Sequence, residues 1–151
     1  MTALLLAIGM HWDVRPDVPV NPKAGESLEV AFPQLSAGTL IGTVELGEAW
    51  IDARGSRVPA AKYAVRYALR PNDGNHMGVS EYRDFLVLVP LADDPGPDAK
   101  PSFDAMMALG KKSTGGGHPA VMALVPASGA DATITVGNLP VGVVLTFEGD
   151  P

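Results

Sequence analysis

The chain has 151 residues, 46% hydrophobic and 19% charged, a composition typical of one folded domain rather than of a disordered chain. Its 11 basic and 17 acidic residues give a net charge of −6, which argues against nucleic acid as a general partner. The chain has no cysteine, so disulfides, thiolate nucleophiles and cysteine-ligated metal clusters are excluded.

The first 25 residues are an N-terminal segment that we separate from a β-rich domain spanning residues 26–151. The segment begins with the apolar run TALLLAIGM (2–10), which is too short to span a bilayer. Two interpretations stay open: the run is the remnant of a secretory signal, or it is the first buried strand. RPDVPVNP (15–22) follows with a proline at every third position, which favours polyproline II backbone along the edge of a sheet.

Period-two hydrophobicity predicts short strands through much of the domain. SLEVAF (27–32) alternates as a half-buried strand, and TLIGTVEL (39–46) and EAWID (48–52) contain two more short apolar runs. The clearest strand is KYAVRYALR (62–70), in which one face is predicted to pack and the other to face water. Its inward residues are Tyr63, Val65, Tyr67 and Leu69, and its outward residues are Lys62, Ala64, Arg66, Ala68 and Arg70.

Turns and one central strand are predicted next. DARGS (52–56) and PNDGN (71–75) have turn composition, with glycine available for positive φ. RDFLVLVPL (83–91) is apolar without a break from residue 85 to 89, as in a strand covered on both faces. DDPGPDAKP (93–101) contains three prolines and three aspartates, which predict a solvated surface loop.

One helix is predicted after this loop. Ser102 is placed to cap it, Asp104 lies in its first turn, and Lys111 and Lys112 lie near its end, where cations are favoured. KKSTGGGHPAVMALV (111–125) does not match a phosphate-binding P-loop, because its lysines end a helix instead of preceding one. The glycines are therefore interpreted as a left-handed helix ending that leads into a strand.

The remaining segments AVMALVP (120–126), DATITV (131–136) and VGVVLTFE (141–148) are also predicted strands. In the last of them Val143, Leu145 and Phe147 share one face, which is either core or a subunit interface. With no alternation of strands and helices, the chain is predicted to be all-β: an antiparallel β-sandwich of about seven or eight strands, with one short helix in a connection.

Histidine and methionine occur close together in three places: Met10-His11, His76-Met77, and His118 with Met122 four residues later. Imidazole with thioether is a ligand set that suits copper when no thiolate competes. One alternative function is therefore a periplasmic copper-binding protein, with ligands His76, Met77, His118 and Met122. Against it, residues 118 and 122 of an extended strand stand about 13 Å apart.

Two other sites are weaker. GVSEY (78–82) lacks the last glycine of a nucleophile elbow, although Ser80 with His76 and an orienting Asp73 or Asp84 would give a hydrolase alternative. A calcium site in the aspartate-rich loop lacks the ligand spacing of an EF-hand. Its carboxylates would be those of Asp93, Asp94 and Asp98.

Two passages, VPAAKYAVRYALRPNDGNHMGVSEYRDFLVLVPLADD (58–94) and SFDAMMALGKKSTGGGHPAVMAL (102–124), together resemble a group of uncharacterised exported bacterial β-rich proteins. That group has a Pro-Ala-Gly-x-Tyr strand, a DGNHMGVS turn, an RDFLLL strand and a Gly-x-x-His-Pro-Ala-Val strand. Here Ala61 replaces the expected glycine and the glycine run before His118 is longer. The resemblance implies an exported β-rich domain and no activity.

No complete catalytic set is present, so we expect a non-enzymatic binding or accessory subunit, periplasmic or secreted, without a cofactor. Its partner is expected to be a protein or a small ligand. Because loops usually carry function in such folds, the ligand-binding residues are predicted in two loops. They are Asn72, Asp73, Asn75, His76, Arg83 and His118.

Overall fold

The computed structural model describes residues 2–4, 10–15, 18–19, 21, 25, 29–52, 55–71, 82–126, 133–136 and 144–146. In this part of the chain there are ten strands, one α-helix and a single 3-10 turn at Leu91–Asp93. The strands are β1 (Thr2–Leu4), β2 (Met10–Val14), β3 (Leu40–Leu46), β4 (Trp50–Ile51), β5 (Arg57–Val58), β6 (Lys62–Leu69), β7 (Asp84–Pro90), β8 (Ala120–Pro126), β9 (Thr133–Val136) and β10 (Val144–Thr146), and the helix α1 is Phe103–Thr114.

The centre of the fold is an antiparallel five-stranded sheet in the order β2-β3-β6-β7-β8. The C-terminal part of β8 pairs with β9, and the order continues through β10 to β1. The two-residue strands β4 and β5 form a separate hairpin. The predicted mainly β, antiparallel fold with one short helix is confirmed. In the strands described, β1 and β2 end this order without pairing to each other, so a closed sandwich is not established.

One face of the five-stranded sheet carries the main core. The inward face predicted for β6 is confirmed, since Tyr63, Val65 and Tyr67 are buried there. The irregular segment 29–39 covers part of this face with Phe32 and Leu35. The other members of the main core are Met10, Trp12, Ile41, Val44, Leu46, Val58, Leu86, Leu88, Ala120, Met122 and Leu124.

The opposite face of β6 is also buried at Ala64, Arg66 and Ala68, so the prediction that this face is in water is wrong for its middle. It is confirmed at the strand's first residue, Lys62, which is exposed. Ala64 and Ala68 pack in a second core with Val87 and Met106, and Arg66 between them has no exposed surface. Helix α1 lies over this face, and small side chains on β6 leave room for it. β7 is buried on both sides, as predicted.

Helix α1 begins and ends as its sequence predicts. The Ser102 hydroxyl accepts a hydrogen bond from the backbone N–H of Ala105, and Gly115 ends the helix at φ 75°. On its buried side, the Ser113 hydroxyl donates to the carbonyl of Leu88 at 2.8 Å. A Cβ at Gly110 would come within 2.7 Å of Pro119 and 2.8 Å of Val87, so glycine here sets how closely helix and sheet approach.

The strand predicted at residues 27–32 is wrong in its described part, because residues 29–32 are irregular. Glu29 has φ 56°, a left-handed conformation that no strand residue adopts. The amides of Ala31 and Phe32 donate to the Asp84 carboxylate and not to a neighbouring strand. A side chain on β7 therefore replaces the strand ladder that the alternation predicted.

The ends of the chain are only partly described. Thr2–Leu4 of the apolar run is a strand paired with β10. Residues 72–75 of the predicted PNDGN turn, and Val143 and Phe147, lie outside the described residues. Among the described helices, none has the length and apolarity to cross a membrane.

Candidate functional site

The site with most support lies at the end of the β6–β7 hairpin, where residues 72–81 connect the two strands. The last strand pair is Leu69 with Asp84, and the Arg70 N–H donates to the Arg83 carbonyl at 2.9 Å just beyond it. The predicted ligand-binding residues of this connection lie outside the described residues, and Arg83 at its base is described. Those outside are Asn72, Asp73, Asn75 and His76, together with Met77.

Two arginines fix the base of this connection. Arg83 Nε donates to the Arg70 carbonyl at 2.7 Å, and Arg70 Nη2 donates to the Tyr82 carbonyl. Each guanidinium therefore binds the backbone of the opposite arm of the hairpin. Both side chains are half-buried, where bonds from a charged donor are stronger than at a fully wet surface. The two points at which the loop leaves the sheet are held firmly.

Asp84, the first residue of β7, binds three groups at the same end of the hairpin. Its carboxylate is buried and accepts the Ala31 N–H at 2.8 Å, the Phe32 N–H at 3.1 Å and the Tyr67 hydroxyl at 2.5 Å. Burial, followed by the charge and hydrogen bond of Asp84, raises the pKa of Tyr67 well above its ordinary range. The hydrolase hypothesis offered Asp84 as an orienter of His76. These contacts favour a structural role for Asp84, whereas Ser80 and His76 lie outside the described residues.

His118 lies at the other end of the sheet. The register pairs Leu88 with Ala120, so residue 118 falls level with Pro90 at one end of β7, while Arg83 precedes Asp84 at the other end. The two ends of β7 are about 20 Å apart at about 3.3 Å per residue. The structure therefore does not bring Arg83 and His118 together in one surface.

The contacts of His118 suit a connection between helix and strand. The Thr114 hydroxyl donates to its carbonyl at 2.6 Å, and its ring Nδ1 lies 2.9 Å from the Pro119 carbonyl. It follows the left-handed Gly115 that ends α1. These contacts agree with the interpretation of residues 111–125 as a transition from helix to strand.

The described half of the proposed copper ligand set is not well placed for a surface ion. Met122 has no exposed surface and lies in the main core, whereas His118 is half-buried outside the strand. Met10 is buried and His11 is exposed, so this neighbouring pair also points to different environments. Within the described part of the chain, no three His, Asp or Glu residues are arranged to hold a metal ion. His76 and Met77 lie outside that part, so their share of the copper hypothesis stays a prediction.

The aspartate-rich loop contains a feature that the sequence did not reveal. Arg66 Nε and Nη2 donate to the two carboxylate oxygens of Asp94 at 2.7 and 2.8 Å. The remaining three guanidinium hydrogens go to the carbonyls of Gly38, Gly96 and Ala99 at 2.6 to 2.9 Å. All five donors are thus satisfied without solvent.

The prediction of a solvated loop is therefore wrong at Asp94, whose side chain is 5% exposed. The prediction is confirmed at Asp93 and Asp98, which are exposed. The carboxylate Oδ1 of Asp93 lies 3.7 Å from Nζ of Lys112. Because Arg66 takes both oxygens of Asp94, the three aspartates do not form a calcium site. One sequence feature could have indicated this ion pair. Arg66 lies between two alanines on β6, and an arginine that is buried there needs a carboxylate partner.

Comparison with protein-family models, curated proteins and solved structures finds no match to this chain. What the described residues show of this site is its base, where Arg70 and Arg83 each bind the backbone of the opposite arm of the hairpin.

Proposed function

We propose that this protein is a non-enzymatic binding or accessory subunit that recognises its partner with the loop end of the β6–β7 hairpin. The observation that carries the proposal is the firmly held hairpin base, in which Arg70 and Arg83 each bind the opposite arm. The residues assigned to recognition are Asn72, Asp73, Asn75, His76 and Arg83.

A fixed base matters because binding costs conformational entropy. Ordering each rotamer-rich side chain or loop segment at an interface subtracts from the affinity, and a held base reduces that cost. Here β6 and β7 are central strands with neighbours on both sides, and the arginines extend the order to residues 82 and 70. The polar sequence between them supplies amide, carboxylate and imidazole groups for hydrogen bonding.

The proposal includes a sandwich-like arrangement of the sheet. β1 and β2 are seven strand spacings apart in the order, which would separate them by about 34 Å in a flat sheet. Six Cα–Cα steps join Leu4 to Met10 and span at most about 22 Å. The sheet must therefore curl back, and β1 does approach β2. With β8 shared between both parts, two packed layers account for this connectivity.

We further propose that the protein acts in the periplasm or outside the cell, as its resemblance to exported proteins implies. In that setting the partner is a protein or a small ligand of the same compartment. No step of the proposal requires a cofactor.

The experiment is affinity capture with matched variants at the two ends of the sheet. The loop variant carries Asn72→Ala, Asp73→Ala, Asn75→Ala and His76→Ala, and the control carries Lys111→Ala, Lys112→Ala and His118→Ala. Partners captured by the wild type from a periplasmic extract of the native host are expected to be retained by the control and lost by the loop variant. Circular dichroism checks that both variants are folded. Retention by the loop variant, or loss only by the control, would contradict the proposal.

A further inference from the structure

A second feature of the same region is the irregular segment 29–39, which we name the strap. It crosses the main-core face of the sheet, and its side chains Phe32 and Leu35 are each only 4% exposed. Two hydrogen bonds form turns within the strap itself. They run from the Leu35 N–H to the Phe32 carbonyl and from the Thr39 N–H to the Ser36 carbonyl. The other described backbone hydrogen bonds of the strap join it to the rest of the protein at its two ends and at Gln34.

The end of the strap next to β3 is attached through backbone and a buried cation. Gly38 N–H donates to the Tyr67 carbonyl at 2.8 Å, and Tyr67 N–H donates to the Thr39 carbonyl at 2.9 Å. Arg66 Nη1 donates to the Gly38 carbonyl at 2.7 Å. Gly38 has φ 95°, and a Cβ there would lie 2.8 Å from the Pro101 carbonyl. This end is continuous with β3 and tightly packed.

The other end is held differently. Asp84 accepts the amides of Ala31 and Phe32, and the Arg83 N–H donates to the Glu29 carbonyl at 2.7 Å. The Tyr67 hydroxyl, which donates to Asp84, also lies 3.3 Å from the Phe32 carbonyl. Glu29 is exposed and has the one positive φ among the described non-glycine residues. The middle of the strap has one more backbone contact, from the Asn21 N–H to the Gln34 carbonyl at 2.8 Å. One carboxylate thus holds two successive amides at the end that is not part of a sheet.

From this asymmetry we propose that the strap is a latched element. Asp84 is the latch, Gly38 is the hinge, and residues 29–36 open together while the five-stranded sheet stays formed. Opening removes Phe32 and Leu35 from the core and uncovers Tyr67 at the base of the β6–β7 hairpin. The latch residue follows Arg83 directly, so closing the strap and ordering the hairpin base favour each other. The latch is formed by these contacts alone and does not require the loop to bind a partner.

Native-state hydrogen exchange, read residue by residue, tests the latch. Asp84→Asn leaves one acceptor oxygen and places an NH2 group where the second acceptor was. Exchange at Ala31 and Phe32 is expected to rise by about 10- to 100-fold, as the loss of a bond to a charged acceptor implies. Exchange at Val87, in the middle of β7, is expected to rise by less than threefold. Asp93→Asn is the control, because it makes the same substitution at an exposed carboxylate in the loop after β7.

Two results would overturn the proposal: unchanged exchange at Ala31 and Phe32 in Asp84→Asn, or an equal rise at Val87, which would mean global opening. If the variant does not fold, wild-type exchange in increasing urea decides the question. Amides of an element that opens alone exchange with a weaker urea dependence than core amides. The proposal expects this difference between Phe32 and Val87, and a shared urea dependence would refute it.

Discussion

Removal of Asp94 is the sharpest test of how the second face of the sheet is stabilised. Arg66 has no exposed surface, and Asp94 supplies two of its five hydrogen-bond acceptors. In Asp94→Ala the guanidinium stays buried with its charge unpaired and two donors unsatisfied. Breaking a buried pair in this way costs about 3–5 kcal/mol. Two bonds to a charged group at about 1.5–3 kcal/mol each give a similar value, about 3–6 kcal/mol.

A loss of this size is a large part of the stability of a domain, which is about 5–15 kcal/mol in total. For a chain of this length it corresponds to a melting temperature lower by roughly 10 °C. Urea unfolding, followed by far-ultraviolet circular dichroism, measures the change directly. Lys112→Ala is the control, because its ion pair with Asp93 is solvent-exposed and is expected to contribute less than about 1 kcal/mol.

The double variant Arg66→Met, Asp94→Ala separates the charge from the packing. It removes the buried cation, so it is expected to be less destabilised than the sum of the single variants, with a coupling of about 1–3 kcal/mol. It remains below the wild type, because the carbonyls of Gly38, Gly96 and Ala99 lose their donor. If the free energy of unfolding of Asp94→Ala lay within about 1 kcal/mol of the wild-type value, the buried ion pair would be refuted, since leaving a buried charge unpaired costs more than that.

The remaining predictions concern helix packing, alkaline pH and copper. Gly110→Ala is expected to lower the free energy of unfolding in urea by about 1–3 kcal/mol despite the higher helix propensity of alanine, since the new methyl meets Pro119 and Val87. Gly116→Ala is the control, because Gly116 is exposed and has open space around it. A Gly110→Ala variant more stable than the wild type would contradict the packing. Because the pKa of Tyr67 is raised above its ordinary value of 10.0 by burial and by Asp84, its contribution to stability is complete below pH 10 and is lost as the pH rises further. Tyr67→Phe is therefore expected to lose less of its free energy of unfolding in urea than the wild type does between pH 9 and 11. Some loss is expected to remain in the variant, because burial also raises the pKa of Tyr63. Identical pH profiles of the two proteins would disprove the assignment. Cu(I) titration of the wild type and His118→Ala is expected to give equal affinities, because Met122 has no exposed surface whereas His118 is half-buried outside the strand. A loss of affinity in the variant would support the copper site.

Much of the secondary structure follows from local sequence. The alternation in 62–70, the unbroken apolar run of β7 and the caps of α1 each predict the element that the structure contains. Period-two hydrophobicity reports how side chains alternate along a strand, and a cap requires only residues within one turn. These properties are local, so a single sequence is enough to identify them.

What could not be predicted depends on contacts between distant parts of the chain. The partner of Arg66 is 28 residues away in a proline-rich loop, so Arg66 looked like a solvent-facing residue of an alternating strand. The strand predicted at 27–32 is replaced because Asp84, more than fifty residues later, binds the amides of Ala31 and Phe32. No local pattern encodes either pairing.

The candidate site was half predictable. The sequence indicated two polar connections, one before Arg83 and one containing His118, and both lie at strand ends. Whether two strand ends share one edge of the sheet depends on the pairing order and on the direction of each strand. The register of β7 with β8 places them at opposite ends, which composition and periodicity do not reveal.

Arg83 and His118 lie at opposite ends of the sheet. The proposed recognition surface, at the Arg83 end, therefore excludes His118. Because the chain has no cysteine, spin labels can be attached at Pro71→Cys and Gly116→Cys alone. Electron–electron double resonance is expected to give a distance between the labels of at least about 25 Å. This is the length of the eight-residue strand β6, which lies between the two labelled ends, at about 3.3 Å per residue. A label separation of less than half that distance would contradict the register and unite the two ends in one site.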